Sequence, residues 1–251
     1  MGVYRFAGRD GVQLACREAG SGRPLVLLHG FMGTGSHMLN YGRAWAFAEQ
    51  GYRVIAPDFR GHGDSAKPHD PAAYPPDVLA DDGLALVGHL GLSDGDYDLG
   101  GYSLGGRIVV RMLVRGAKPG RAIVAGQGLA KVSGPQGGGV NHRVLTTLVE
   151  GVAIEPDSPD ARITAWISEL GADPLALLHV LNSLVPTPED ALRQLAIPTL
   201  VAIGEKDERS DADELAALLP DARLTRVPGD HGSAFTAPEL TAAIGAFLAE
   251  R

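Results

Sequence analysis

Tyr97-Asp98-Leu99-Gly100-Gly101-Tyr102-Ser103-Leu104-Gly105-Gly106 is the stretch that decides how this chain folds. Residues 97–102 form a short apolar run of the kind a buried strand shows, and residues 103–115 have the spacing of a helix. The junction between them is Gly-x-Ser-x-Gly. Glycines two before and two after the serine let strand and helix meet in a sharp turn, which lifts the hydroxyl above the sheet in a strained backbone conformation. With 34 glycines in the chain such a match arises readily by coincidence, so the flanking strand and helix have to support it. Both are present, and Ser103 is expected at the C-terminal edge of a parallel sheet, where open α/β folds place their sites.

Working outward, residues 3–28 read as extended segments, with a hairpin turn at Asp10-Gly11, a loop at Gly20-Ser21-Gly22 and an apolar run over 24–28. Helical spacing over 38–50, a buried-strand run over 52–57 and a helix over 77–90 lead up to the serine, and a strand over 121–125 follows its helix. This alternation predicts an α/β fold with a mostly parallel sheet of about eight strands flanked by helices. Between about 128 and 195 the alternation stops. A Gly-rich loop over 133–140 and helical stretches over 143–150, 160–170 and 174–184 read there as an inserted helical cap. The sheet pattern resumes with a strand over 197–203, a helix over 213–219, a strand over 223–227 and a final helix from Thr236, whose Thr-x-x-Glu start with Pro238 inside is a capping-box signature. The expected organisation is one α/β core built from residues 1–128 and 191–251, with the cap at 129–190.

Length and composition limit the function classes. At 251 residues and 45% hydrophobic content the chain can bury one large core. Its net charge of -8, without any Lys/Arg-rich run, leaves nothing to neutralise phosphates or anionic lipid, so neither nucleic acid nor membrane is an expected partner. Cys16 is the only cysteine, which rules out an intramolecular disulfide and fits a cytoplasmic setting. The N-terminus has no apolar block behind a basic start, and no run of 18 apolar residues occurs. A complete, soluble mature chain is therefore expected.

A serine hydroxyl becomes a nucleophile when a base takes its proton, and that base needs a third group, usually a carboxylate, to hold it in one tautomer. Asp207 follows the 197–203 strand in Gly204-Glu205-Lys206-Asp207, and His231 follows the 223–227 strand in Pro228-Gly229-Asp230-His231-Gly232. Their order, Ser then Asp then His, is the one this topology requires. Glu205, Glu208 and Asp230 are neighbouring carboxylates that could replace Asp207 as the partner of the histidine, and no acid follows the 121–125 strand before the cap. Acyl chemistry also needs backbone N–H groups aimed at the developing oxyanion. Leu104 offers one, at the start of the helix after the serine, and Phe31 a second, in the turn His29-Gly30-Phe31 after the 24–28 strand.

With these pieces in place, the chain resembles the α/β-hydrolase family over nearly its full length. The resemblance rests on His29-Gly30-Phe31, Pro57-Asp58-Phe59-Arg60-Gly61-His62-Gly63-Asp64-Ser65, Gly101-Tyr102-Ser103-Leu104-Gly105-Gly106, and the Asp207 and His231 loops. It implies that Asp58, Arg60, His62 and Ser65 form a structural turn beside the site. It also implies that Ser103, standing where the dehalogenases and epoxide hydrolases of this fold carry aspartate, favours acyl chemistry. The implied activity is a cofactor-free serine hydrolase cleaving a small carboxylic ester or related acyl substrate through an acyl-enzyme. Lactonase, thioesterase, carbon–carbon hydrolase and cofactor-free haloperoxidase or perhydrolase activities belong to the same fold, and a non-catalytic small-molecule receptor is the rival of another class. Phe31 and the cap residues Trp166, Leu177, Leu178 and Leu181 are candidate substrate liners, although at helical spacing each of the four cap residues reads more readily as core. There is no phosphate loop, dinucleotide turn or zinc-ligand pattern, and His62, Asp64 and His69, close as they are in sequence, fall in or beside the structural turn, so no metal is expected.

Overall fold

Alternate residues of the central strands feed two apolar layers. In the computed structural model, which describes residues 2–134, 139–209 and 211–250, Val26, Leu28, Ile55, Leu99, Val124 and Val201 pack to one side of the sheet. Leu25, Leu27, Val54, Ala56, Ile123 and Leu200 pack to the other. Strands buried on both faces have no polar side to alternate with, which is why they read as continuous apolar runs. The eight strands are β1 (Val3–Ala7), β2 (Gln13–Ala19), β3 (Arg23–Leu28), β4 (Tyr52–Pro57), β5 (Asp98–Tyr102), β6 (Arg121–Ala125), β7 (Thr199–Gly204) and β8 (Ala222–Val227). They lie in the order β1-β2-β4-β3-β5-β6-β7-β8. The β1–β2 and β2–β4 pairings are antiparallel and all the others parallel. The expected α/β-hydrolase sheet, mostly parallel and flanked by helices, is thus present.

Helices Val78–His89, Leu104–Val114 and Ala212–Leu218 cover the first layer, and Gly35–Asn40, Trp45–Glu49 and Pro238–Ala249 the second. Two expected elements differ. The helix read over 38–50 is two short helices, because the chain turns at Gly42-Arg43, where Arg43 has φ 55° and a Cβ on Gly42 would lie 2.9 Å from the Phe235 ring. The Thr236 capping box does not form either. Pro238–Ala249 starts from Ala237 with no side-chain cap, and Thr236 Oγ1 instead donates to the Ser233 carbonyl. The capping box belongs to a short helix before it, His231–Thr236, where the Asp230 carboxylate accepts from the Gly232 and Ser233 amides and Ser233 Oγ accepts from the Asp230 amide.

Between β6 and β7 run helices Leu129–Ser133, Val140–Val149, Pro159–Glu169, Pro174–Asn182 and Glu189–Leu192. Ser158 and Asp173 cap two of them directly ahead of prolines at the first helical position. Of the Gly-rich loop expected over 133–140, residues 135–138 lie outside the described residues. Val144, Leu145, Ile167 and Leu177 form a separate apolar cluster that closes onto Met32 of the loop after β3. At the base of the segment the Thr187 amide donates to the Val132 carbonyl (2.9 Å), and Arg107 of the 104–114 helix donates to the carbonyls of Lys131 (2.7 Å) and Val185 (2.8 Å).

The Pro57–Ser65 turn is anchored by charges taken out of water. Arg60, fully buried, holds Asp82 through two hydrogen bonds of 3.0 and 2.8 Å and also reaches Asp10. Removing Asp82 would leave the buried Arg60 with the half-exposed Asp10 as its remaining carboxylate. Asp82→Ala should therefore lower unfolding free energy by about 3 kcal/mol in urea titration. A midpoint and slope equal to those of the wild type would contradict this role.

Candidate active site

β5 ends at Tyr102, and the chain reverses within Ser103, whose φ of 55° and ψ of -117° are strained for a side chain with a Cβ. The glycines around it are required by contact. A Cβ on Gly101 would come within 2.3 Å of the Gly105 backbone, and one on Gly105 within 2.0 Å of the Leu28 carbonyl oxygen. The Ser103 amide donates to the Ala125 carbonyl at the end of β6 (2.8 Å), which ties the turn to the neighbouring strand.

Two further strand ends deliver the other side chains. After β7 the Glu205 amide donates to the Val227 carbonyl (2.8 Å), and the Lys206 amide donates to the Gly229 carbonyl (3.0 Å), so the loops after β7 and β8 are bound together. Across them His231 Nδ1 lies 2.7 Å from Asp207 Oδ2, and His231 Nε2 lies 2.9 Å from Ser103 Oγ. A carboxylate accepts only, so Nδ1 carries the proton and Nε2 is left as the acceptor facing the hydroxyl. The Asp207 side chain is buried, and its other oxygen accepts from the Arg209 amide and guanidinium, each at 3.1 Å. Burial alone pushes its carboxyl upward, but the bonds from His231 and Arg209 outweigh this and hold it below the ordinary value. The rival carboxylates go elsewhere: Asp230 is spent on the helix cap, and Glu208 is exposed toward Arg209. Tyr102 supports the imidazole from below, its hydroxyl donating to the His231 carbonyl (2.6 Å) and its ring centroid 5.3 Å away.

Leu104 is the first residue of its helix, so its N–H has no partner within that helix. Phe31 follows Gly30, whose absent side chain brings the loop close to the serine; a Cβ there would lie 3.4 Å from Ser103 Cβ. His29 lies beneath, accepting the Phe59 amide at Nε2 (2.9 Å) with Nδ1 2.8 Å from the Gly30 carbonyl. His62 packs against it at 5.0 Å between ring centroids. Burial pushes His29 down to about 4 and, together with the neighbouring His29 charge, His62 to about 3.

A cavity of about 460 Å³ opens over Ser103 and His231, lined among others by Phe31, Met32, Met38, Tyr41, Trp166 and Phe235. Trp166, half-exposed, is among the lining residues. Leu178, with Leu177 and Leu181, does not line it. These side chains belong to the apolar cluster within the helical segment, and Leu170 lines the cavity beside Trp166 instead. Sequence reading passed over Leu170, Phe235 and Tyr102. Phe235 carried a signal, standing four residues after His231 and so on the same helix face. His62, Asp64 and His69 do not gather: Asp64 pairs with Arg17 and His69 with Asp173. Among the described residues no group of three potential metal ligands occurs.

The fold is that of the α/β hydrolases, and the chain belongs to that family: the model of the alpha/beta hydrolase family matches residues 25–244. It is 29% identical to a non-heme haloperoxidase of Rhodococcus erythropolis over 89% of this chain and 90% of that one. It is 30% identical to the non-heme chloroperoxidase CPO-A1 of Kitasatospora aureofaciens over 90% and 91%. In structure it resembles an esterase from Exiguobacterium antarcticum, with a TM-score of 0.79 at 21% identity and full coverage of both chains. Among the described residues no helix is long and apolar enough to cross a membrane.

His29 and His62 make the fold acid-sensitive. Below their ordinary value of 6.5 the unfolded chain takes up protons that the native state refuses, so the stability they contribute is whole above pH 6.5 and is lost as pH falls toward 4. Urea titrations between pH 7 and 4 should show a slope approaching about two protons per molecule, falling to about one in His62→Asn. Stability that stays flat between pH 7 and 5 would contradict this.

Proposed function

We propose that this chain is a serine hydrolase of small, neutral carboxylic esters or related acyl substrates, with Ser103, His231 and Asp207 as its catalytic residues. The observation that carries the proposal is the continuous hydrogen-bonded path from Ser103 Oγ through both ring nitrogens of His231 to Asp207. Along it, Oγ attacks the carbonyl carbon while its proton passes to Nε2, and the imidazolium that forms is stabilised by the Asp207 carboxylate. The carbonyl oxygen, now an anion, is received by the N–H groups of Phe31 and Leu104. His231 returns the proton to the leaving alcohol as the tetrahedral intermediate collapses. Water, deprotonated by the same Nε2, then releases the acid from the acyl-enzyme and restores Ser103.

The cavity lining supports the substrate class. Among the described residues the wall is made largely of Phe, Met, Tyr, Trp, Leu and His side chains and holds no Lys, Arg, Asp or Glu. An anionic group would meet no Lys or Arg there, only His37 and the hydroxyls of Tyr41 and Thr236 beyond the catalytic residues. The helical segment 129–190 contributes Trp166 and Leu170 to this wall, and in this reading it is a cap that shapes the pocket. The haloperoxidase relatives favour a second use of the same intermediate, in which hydrogen peroxide replaces water at the acyl-enzyme and releases a peracid capable of oxidising halide. In that case Ser103→Ala should abolish acetate- and peroxide-dependent bromination together with ester hydrolysis.

Purified protein should hydrolyse p-nitrophenyl butyrate, with kcat reduced about 10⁴-fold or more in Ser103→Ala and about 10³- to 10⁴-fold in Asp207→Asn. An ester carrying a free carboxylate of similar size should be turned over at least about 10-fold less efficiently. Undiminished hydrolysis in Ser103→Ala, or binding without turnover by the wild type, would overturn the proposal.

A further inference from the structure

Each of the two N–H groups assigned to the oxyanion belongs to a peptide unit whose carbonyl end is gripped by a buried side chain. We infer that His29 and Gln127 are positioning residues that aim these two donors. The inference rests on the acyl-transfer reading above and assigns the parts that make its oxyanion site rigid.

Peptide bonds among the described residues are all trans, so in each unit the N–H points opposite to the C=O. Fixing the oxygen therefore fixes the direction of the N–H. In the Gly30–Phe31 unit, the Gly30 oxygen accepts from the Gly33 amide (2.9 Å) and from His29 Nδ1 (2.8 Å). The Phe59 amide donates to His29 Nε2, which leaves the ring proton on Nδ1, facing that carbonyl. In the Ser103–Leu104 unit, the Ser103 oxygen accepts from the Arg107 amide (3.1 Å) and from Gln127 Nε2 (2.5 Å). A carbonyl oxygen cannot donate, so the NH₂ end of the Gln127 amide must face it.

The two units thus share one design: a backbone N–H and a buried side-chain N–H on the same oxygen. The side-chain bonds do more than hold direction, since a donor at the carbonyl polarises the peptide and strengthens its N–H as a donor. Gln127 shows the arrangement most clearly. It is buried at the end of β6 and is not among the residues lining the cavity, so it acts through Ser103 and not on substrate. Its Oε1 has no partner among the described residues, which is a cost that an apolar side chain of the same size would avoid. The bond its amide makes to the carbonyl of the strained Ser103 accounts for its presence.

The test compares Gln127→Met, which keeps the length and removes the donor, with Gln127→Glu, which keeps the shape and turns an acceptor toward the carbonyl. With p-nitrophenyl butyrate, kcat should fall about 10-fold in the first and further in the second, with KM within about twofold of wild type. Affinity for an alkyl trifluoromethyl ketone, which forms an oxyanionic hemiketal on Ser103, should weaken by the same factor as kcat/KM. Affinity for the corresponding methyl ketone should not change. His29→Asn, whose amide can still donate to the Gly30 carbonyl, should retain more activity than His29→Leu. If Gln127→Met does not fold, Gln127→Glu and the His29 pair decide the matter. Folded Gln127 variants with wild-type kcat and trifluoromethyl ketone affinity would overturn the positioning role alone. A wild type inert to both ester and ketone would overturn the acyl-transfer reading and this inference with it.

Discussion

Where Gly105 meets the end of β3, a single added carbon would stand 2.0 Å from the Leu28 carbonyl oxygen, and next to the end of β5 a carbon on Gly101 would strike Gly105 itself. This contact, made almost entirely of backbone, holds the 104–114 helix close over the sheet and forces the reversal to fall within Ser103. Its consequences run outward from there. Ser103 takes a left-handed φ, and its amide is caught by β6. Leu104 starts a helix, so its N–H has no partner within it, and the loop after β3 lies against the serine at Gly30, directly before Phe31. A wider junction would leave each of these groups in the chain and none of them in register.

Around that contact the structure spends its buried polar groups on holding loops. Asp58 accepts from the amides of Gly35 (2.6 Å) and Asp64 (2.8 Å) and pairs with Arg17, so one carboxylate ties together the helix after β3 and the turn after β4. Burial pushes its carboxyl upward, but the electrostatic effect of the nearby His29 ring and the bonds from Asp64, Gly35 and Arg17 outweigh this and hold it below the ordinary value. Arg60 ties the same turn to the Val78–His89 helix through Asp82. His29 and His62, both neutral, fill the space between this turn and the site. Loops after β3, β4, β5, β6, β7 and β8 thereby converge on one edge of the sheet, each held by bonds to its neighbours.

Much of this was readable from residues. Ser103, Asp207 and His231 stand just beyond apolar runs that end in glycine-rich turns, and a parallel sheet brings such positions to one edge whatever the length of chain between them. Asp207 and Asp230 are separated by a helix cap that the sequence does not show: Asp230 heads the short helix His231–Thr236, which precedes the final helix expected from Thr236. The cavity liners of the 129–190 segment were harder still. Leu170 and Leu178 sit on comparable apolar helical stretches, and which one lines the cavity depends on how the segment docks onto Met32, a tertiary fact with no local pattern. Gln127 left no trace in sequence at all, since its role is a single bond to a carbonyl in another strand-end loop.

The central claim is that Ser103 attacks a carbonyl and becomes acylated, and trapping the nucleophile tests it most directly. Treatment with an alkyl fluorophosphonate, followed by intact mass measurement and peptide mapping, should give a single adduct on Ser103, and His231→Ala should form it much more slowly. Stoichiometric loss of esterase activity with the adduct on any other residue, or an active protein that forms no adduct at all, would contradict it.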